Sequence, residues 1–126
     1  MPDVELPDAE TLAVKFLKPR QPESPVATKV PNPRPSRFTR AWRTGGAASS
    51  RVLDQPIITV TCTAADSVTA SDDAKRARHA FLNDYTAMPL VRGVEEVTGL
   101  YYDPDPDTNE DRYTFAVRLR IRAGRR

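Results

Sequence analysis

Apolar and polar positions alternate almost without a break over residues 112–122. Tyr113, Phe115, Val117, Leu119 and Ile121 fall on one parity, while Arg112, Arg118, Arg120 and Arg122 share the other with Thr114 and Ala116. Successive side chains of a β-strand point to opposite faces, so the pattern predicts a half-buried strand with an apolar inner face and a cationic outer one. A second run, 57–63, separates Ile58, Val60 and Cys62 from Ile57, Thr59, Thr61 and Thr63, a β-branched stretch suited to the middle of a sheet. Residues 38–43 read as its partner, closed by Thr44, Gly45 and Gly46. The return begins at Val52 or Ile57, which makes a hairpin with a long tip. A further strand over 94–102, through Val97, Leu100 and Tyr101, joins the last one by a turn at 103–111.

Two segments carry helical spacing instead. Pro7 and Asp8 start the first, Ala9, Leu12, Ala13, Phe16 and Leu17 form its apolar stripe, and Pro19 stops it. In the second, Ala70, Ala74, Ala77, Phe81, Tyr85 and Met88 recur at helical intervals. Ser71 is its predicted N-cap, with Asp72 and Asp73 in the first turn and Pro89 as its end. Lys75, Arg76, His79, Asn83 and Asp84 occupy its far face. Between the first helix and the first long strand, six prolines over 19–35 predict extended chain with one short strand at 26–30. Proline has no N–H for a central ladder, so 19–36 reads as an arm or a sheet edge. The order of elements predicts an α+β fold: residues 1–126 form a single compact domain, a mainly antiparallel sheet with two helices packed on one face and the other face left for solvent or a neighbour.

Charge sharpens this picture. The 126 residues carry a net charge of only +2, so the chain is not a uniformly basic nucleic-acid coat, yet its charges are segregated. Glu95, Glu96, Asp103, Asp105, Asp107, Glu110 and Asp111 precede the last strand, whereas Arg34, Arg37, Arg40 and Arg43 make an earlier stretch basic. Beyond Asp111 there is no acid, and the last strand with Gly124, Arg125 and Arg126 predicts a patch of six arginines. Opposed patches on a small domain suit head-to-tail contact between copies. Arg118, Arg120 and Arg122, spaced two apart over about 14 Å of strand, match a phosphate backbone or a row of carboxylates. The candidate interface residues are therefore Arg118, Arg120, Arg122, Arg40, Arg43, Asp103, Asp105 and Asp107.

No reaction centre emerges. Asp103, Asp105, Asp107, Asn109 and Asp111 alternate like the start of a calcium loop. Thr108, however, stands where the sharp turn needs glycine, and Thr114 where a bidentate glutamate would close the site. His79 is the only histidine and has no nucleophile set for it; Cys62, the only cysteine, sits at a buried strand position without an activating neighbour and reads as a small hydrophobe from a reducing compartment. Gly45-Gly46 is followed by no phosphate-binding Gly-Lys-Ser/Thr. No metal or cofactor is expected. Residues 1–6 are acidic without a signal-peptide core, and no run approaches the ~20 apolar residues of a membrane span, so a soluble, non-exported protein is expected.

The succession Val30-Pro31, Pro33-Arg34-Pro35, Arg37-Phe38 and Arg43-Thr44-Gly45-Gly46, the stretch 52–63, the Ala-rich helix, Gly93-Val94, Gly99-Leu100-Tyr101 with Pro104-Asp105-Pro106, and Arg112-Tyr113-Thr114-Phe115 resembles tail terminator proteins of long-tailed phages infecting actinobacteria. The resemblance covers about residues 26–121. It implies a structural neck protein of the virion, assembled in the host cytoplasm as a homo-oligomeric, hexameric ring. Such a ring caps the finished tail tube, stops polymerisation of the major tail tube protein, and offers a surface to the head–tail connector. DNA passes through it, which allows non-specific contact in the lumen. The family supplies no catalytic residue to carry over. The rivals are another connector subunit, such as a head-closure or adaptor protein, and a small nucleic-acid-binding module using Trp42 between Arg40 and Arg43.

Overall fold

Each helix begins where an aspartate can accept hydrogen bonds from its first free N–H groups. The computed structural model describes residues 4–48, 50 and 52–125. In helix α1, Ala9–Leu17, the Asp8 Oδ1 accepts from the N–H of Glu10 at 3.0 Å and of Thr11 at 3.5 Å. Ala9, Ala13, Phe16 and Leu17 of the predicted stripe are buried, and Pro19 diverts the chain into a 3-10 turn over Lys18–Arg20. Helix α2, Ser67–Asn83, starts a turn earlier than Ser71. Its N-cap is Asp66, whose extended backbone and Oδ1, 2.8 Å from the Thr69 N–H, supply what a cap requires. Asp73 consequently sits past the first turn, on the buried face with Ala70, Ala74, Ala77, Ala80 and Phe81. The helix ends at Asn83, before Pro89, and a 3-10 turn at Tyr85–Ala87 carries Met88 back into the core.

The sheet has six strands: β2 (Val26–Ala27), β3 (Phe38–Gly45), β4 (Leu53–Asp54), β5 (Ile57–Ala64), β6 (Val91–Tyr102) and β7 (Asp111–Arg122). Strand β3 pairs antiparallel with β5, and β5 with β7, so the hairpins before and after α2 join into one sheet. On its other side β7 pairs with β6, while β4 continues the line of β5 against Ile121 and Arg122. The predicted strand at 26–30 shrinks to β2, a two-residue edge parallel to β3. Beside the sheet, β1 (Val4–Glu5) pairs with β8 (Gly124–Arg125), bringing the two ends of the chain together.

Both helices cover one face of this sheet, as its alternation demands. Ala41, Ile58, Val60, Cys62, Phe115, Val117, Leu119 and Ile121 are buried beneath them, and the core aromatics pack in a row. The rings of Phe16 and Phe81 are 5.2 Å apart, and Phe81 meets Phe115 edge-on at 6.3 Å. The opposite face is less open than expected. Phe38, Thr61, Thr63, Thr114 and Ala116 are buried there too, because Arg34 lies over the Phe38 ring and Asp103 accepts a hydrogen bond from the Thr114 hydroxyl at 2.9 Å.

Strand β6 is an edge strand longer than its sequence pattern suggested, starting at Val91 rather than Val94. Its register against β7 slips at Val91/Gly93, Glu96/Thr98 and Thr98/Tyr101. Such bulges add residues to one strand only, strengthen its twist and re-aim side chains, a common treatment of exposed edges.

Candidate interaction surface

Six of the eight residues predicted for an interface lie on the β6–β7 ribbon and on the 103–110 loop that closes it, and Arg40 and Arg43 lie on β3. The register then decides which charges cancel. Glu95 stands directly opposite Arg118, and their Oε1 and Nη1 are 2.5 Å apart. Glu96 reaches down to α2, where Arg78 holds it with two hydrogen bonds of 2.6 and 2.9 Å, pulling its carboxyl below the ordinary glutamate range. At the loop, Arg112 Nη2 pairs with Asp103 Oδ2 at 3.1 Å while its Nε donates to the Asp103 carbonyl. Arg34 bridges Glu110 at 2.8 Å and Asp105 at 3.2 Å. Backbone N–H groups of Asp107 and Thr108, then Arg34, also hold the Asp105 carboxyl below its usual range. Three of the expected interface charges, Arg118, Asp103 and Asp105, are thus engaged within the chain, and Arg43 makes a fourth.

Arg43 is the furthest from a free surface cation. Its guanidinium grips the buried Asp54 in a fork, Nη1 to Oδ2 at 3.0 Å and Nη2 to Oδ1 at 3.1 Å, and also donates to the carbonyls of Gly45 and Gly46. This clamp folds the long tip of the hairpin back on itself. Gly46 has φ +81°, and a Cβ there would lie 2.0 Å from the Gln55 carbonyl oxygen, so only glycine fits. Arg40 donates to the Thr28 carbonyl at 2.8 Å and stacks 3.9 Å from the centre of the Trp42 ring. The one aromatic proposed for base stacking therefore already carries a cation of its own chain.

What is left is small and polarised. Among the described residues Arg92, Arg120 and Arg122 have no carboxylate within ion-pair distance, and all three are exposed. They share one end of the ribbon, since Arg92 is the residue added by the bulge between Val91 and Gly93, whose partners are Ile121 and Arg120. The Arg120 side chain passes over Gly93, its Cδ within ordinary van der Waals distance, 3.4 Å, of where a Cβ would lie. Asp107 is the exposed, unpaired acid at the other end. Arg92 was not foreseen, because a bulge cannot be read from one strand alone. The expected six-arginine patch is accordingly dispersed: Arg112 is at the far end, the Arg125 side chain and Arg126 lie outside the described residues, and so do residues 1–3 of the N-terminus and positions 49 and 51 of the hairpin tip.

No protein-family model and no curated protein matches this chain. The site must therefore be judged on its own chemistry. Cys62 is buried, its thiol pushed up to about 12 chiefly by burial, although Thr39 hydrogen-bonds it at 3.5 Å. The exposed His79 shares Nδ1 with the Asn83 side chain at 3.1 Å. A groove of about 250 Å³ between α1 and the 85–89 turn is lined by Leu12, Lys15, Phe16, Arg20, Ala87, Met88 and Pro89, and neither Cys62 nor His79 lines it. Among the described residues no group of three or more His, Cys, Asp or Glu could hold a metal, and no helix is long and apolar enough to cross a membrane.

Proposed function

We propose that this chain is a structural subunit of a phage neck, working by contact rather than by bond chemistry. In this reading it assembles as a hexameric ring in the virion, caps the completed tail tube, halts addition of the major tail tube protein and presents its other side to the head–tail connector. The resemblance of residues 26–121 to tail terminators is one support. The observation that carries most weight is the unpaired charge at opposite ends of a ribbon whose internal charges cancel, a pattern suited to repeated subunit contacts. The buried thiol of Cys62 and the exposed, amide-bonded His79 favour the non-enzymatic reading.

The test is to add purified protein to polymerising tail tube protein and measure tube lengths by negative-stain microscopy. Tubes that stop growing and carry a ring at one end are expected. Unchanged tube lengths with no end density would refute the capping role, and binding to the connector without binding to the tube would make the chain a different connector subunit.

A further inference from the structure

The charge surplus at each end of the β6–β7 ribbon can be compared directly. At the loop end, Asp103, Asp105, Asp107, Glu110 and Asp111 meet only Arg34 and Arg112, leaving three negative charges uncompensated. At the other end stand Arg92, Arg120 and Arg122, none of them within ion-pair distance of a carboxylate among the described side chains. The ends are separated by the 113–121 stretch of β7, about 26 Å at ~3.3 Å per residue. Charges of opposite sign that far apart do not neutralise each other through water, since the Debye length is about 8 Å at physiological salt.

Exposed apolar side chains accompany both ends. Leu53, 38 % exposed, lies opposite Arg122, and Val52, 46 % exposed, accepts the Ala123 N–H beside it. At the acidic end Tyr101 and Tyr102 are 45 % and 49 % exposed. Arginines beside exposed apolar side chains at one end and tyrosines at the other suit a protein contact, whose centre is apolar and enriched in arginine and tyrosine, more than a phosphate-tracking surface. Head-to-tail joining of these two different patches is a heterologous contact, which by its nature continues from copy to copy until it closes.

We infer that the occupant of the cationic end is the acidic end of a second copy of this chain: Arg92, Arg120 and Arg122, with Val52 and Leu53, receive Asp107, Tyr101 and Tyr102 of the neighbour. This rests on the reading of the chain as a self-assembling subunit, and it assigns the contact that reading needs. The bulge that adds Arg92 is then the local feature that brings a third cation beside Arg120 and Arg122.

Two variants block one end each. R120E/R122E keeps the acidic end, and Y101K/D107K keeps the cationic end; all four positions are exposed, so both variants are expected to fold, which a thermal melt superimposable on wild type confirms. Sedimentation velocity should show each variant as a monomer, and their mixture as a discrete one-to-one dimer that cannot extend. That dimer should weaken at least about tenfold between about 50 and 300 mM salt. Either variant assembling like the wild type, or a mixture that stays monomeric, overturns the contact. Duplex DNA binding that R120E/R122E abolishes while assembly is unchanged would instead assign the corner to nucleic acid and overturn it equally. Open chains of every length from the wild type, with the mixed dimer intact, would sink the ring and leave the contact standing; rings that persist in both variants would do the reverse.

Discussion

Replacing Asp73 with asparagine should destabilise the domain by about 2–3 kcal/mol. Asp73 is wholly buried on α2, where its Oδ2 accepts from Arg37 Nε at 2.9 Å and its Oδ1 from Arg37 Nη2 at 2.8 Å and Arg76 Nη1 at 3.1 Å. Its backbone carbonyl accepts from the buried Gln21 side chain at 2.7 Å, and Arg37 also reaches Glu23 at 3.1 Å. The Asp73 carboxylate therefore ties α2 to Arg37 at the end of the proline-rich segment, while its backbone carbonyl ties the helix to Gln21 within that segment. The Arg37 guanidinium is pushed above its already high ordinary range, mainly by its hydrogen bonds to Asp73. Asparagine keeps the shape but offers one acceptor oxygen, and its amide presents N–H groups to a guanidinium that can only donate.

The magnitude follows from counting what is lost. Hydrogen bonds to charged groups contribute about 1.5–3 kcal/mol each, and breaking a buried ion pair costs about 3–5 kcal/mol. The side chains of Arg37 and Arg76 are 29 % and 47 % exposed, so water recovers part of their solvation and the expected loss falls to the lower range. Urea unfolding read by circular dichroism would measure it as a fall in midpoint at constant slope. A double-mutant cycle of Asp73→Asn with Arg37→Met should return a coupling above about 1 kcal/mol. A D73N variant within about 0.5 kcal/mol of wild type, or a coupling near zero, would refute the claim that this network anchors the segment.

Two further outcomes follow from other features. Gly46→Ala should cost at least about 2 kcal/mol, combining a positive φ with the overlap on the Gln55 carbonyl, and should loosen the 44–57 tip so that hydrogen exchange rises there while Asp54 and Arg43 remain present; native-like exchange would contradict the clash. Asp66, Asp105 and Glu96 all have carboxyls held below their ordinary values of 3.8 and 4.5, by the Thr69 N–H, by the Asp107 N–H and by Arg78 respectively. A depressed folded-state value stabilises the fold fully above the unfolded value, so unfolding free energy should be flat above about pH 5 and decline as pH falls through and below 4.5 and 3.8; a stability that rises on acidification over that range would be inconsistent with these contacts.

The elements of the fold were legible because most of them depend on local pattern. Alternation placed the inner face of β7 residue by residue, and the split of Ile58, Val60 and Cys62 from Thr59, Thr61 and Thr63 survives intact in β5. Capping was half legible. Asp8 stands alone before its stripe, but Asp66 and Ser71 are both competent caps, and the helix runs back to Asp66 with Ala70 buried on its inner face. Strand β6 was legible as a strand and not as a register, because its three slips are set by pairing with β7.

Charge was the least legible property, and for a physical reason. A sequence shows how many charges a segment holds, whereas a surface potential depends on which of them find a partner across strands. Arg118 and Arg120 are two residues apart on the same face, yet one lies opposite Glu95 and is neutralised while the other lies opposite Gly93 and is not. Arg43, grouped with Arg40 by proximity in sequence, is drawn inward by Asp54, a residue of the return strand. The net charge of +2 conceals a dipolar ribbon, since cancellation within each copy removes the middle of the charge pattern and leaves its ends. An isolated domain gains nothing from ends of opposite sign set about 26 Å apart, beyond each other's screened field. In the proposed contact, copies meeting end to end would bring those charges within reach of each other, so that an arrangement idle in a monomer would set the partner.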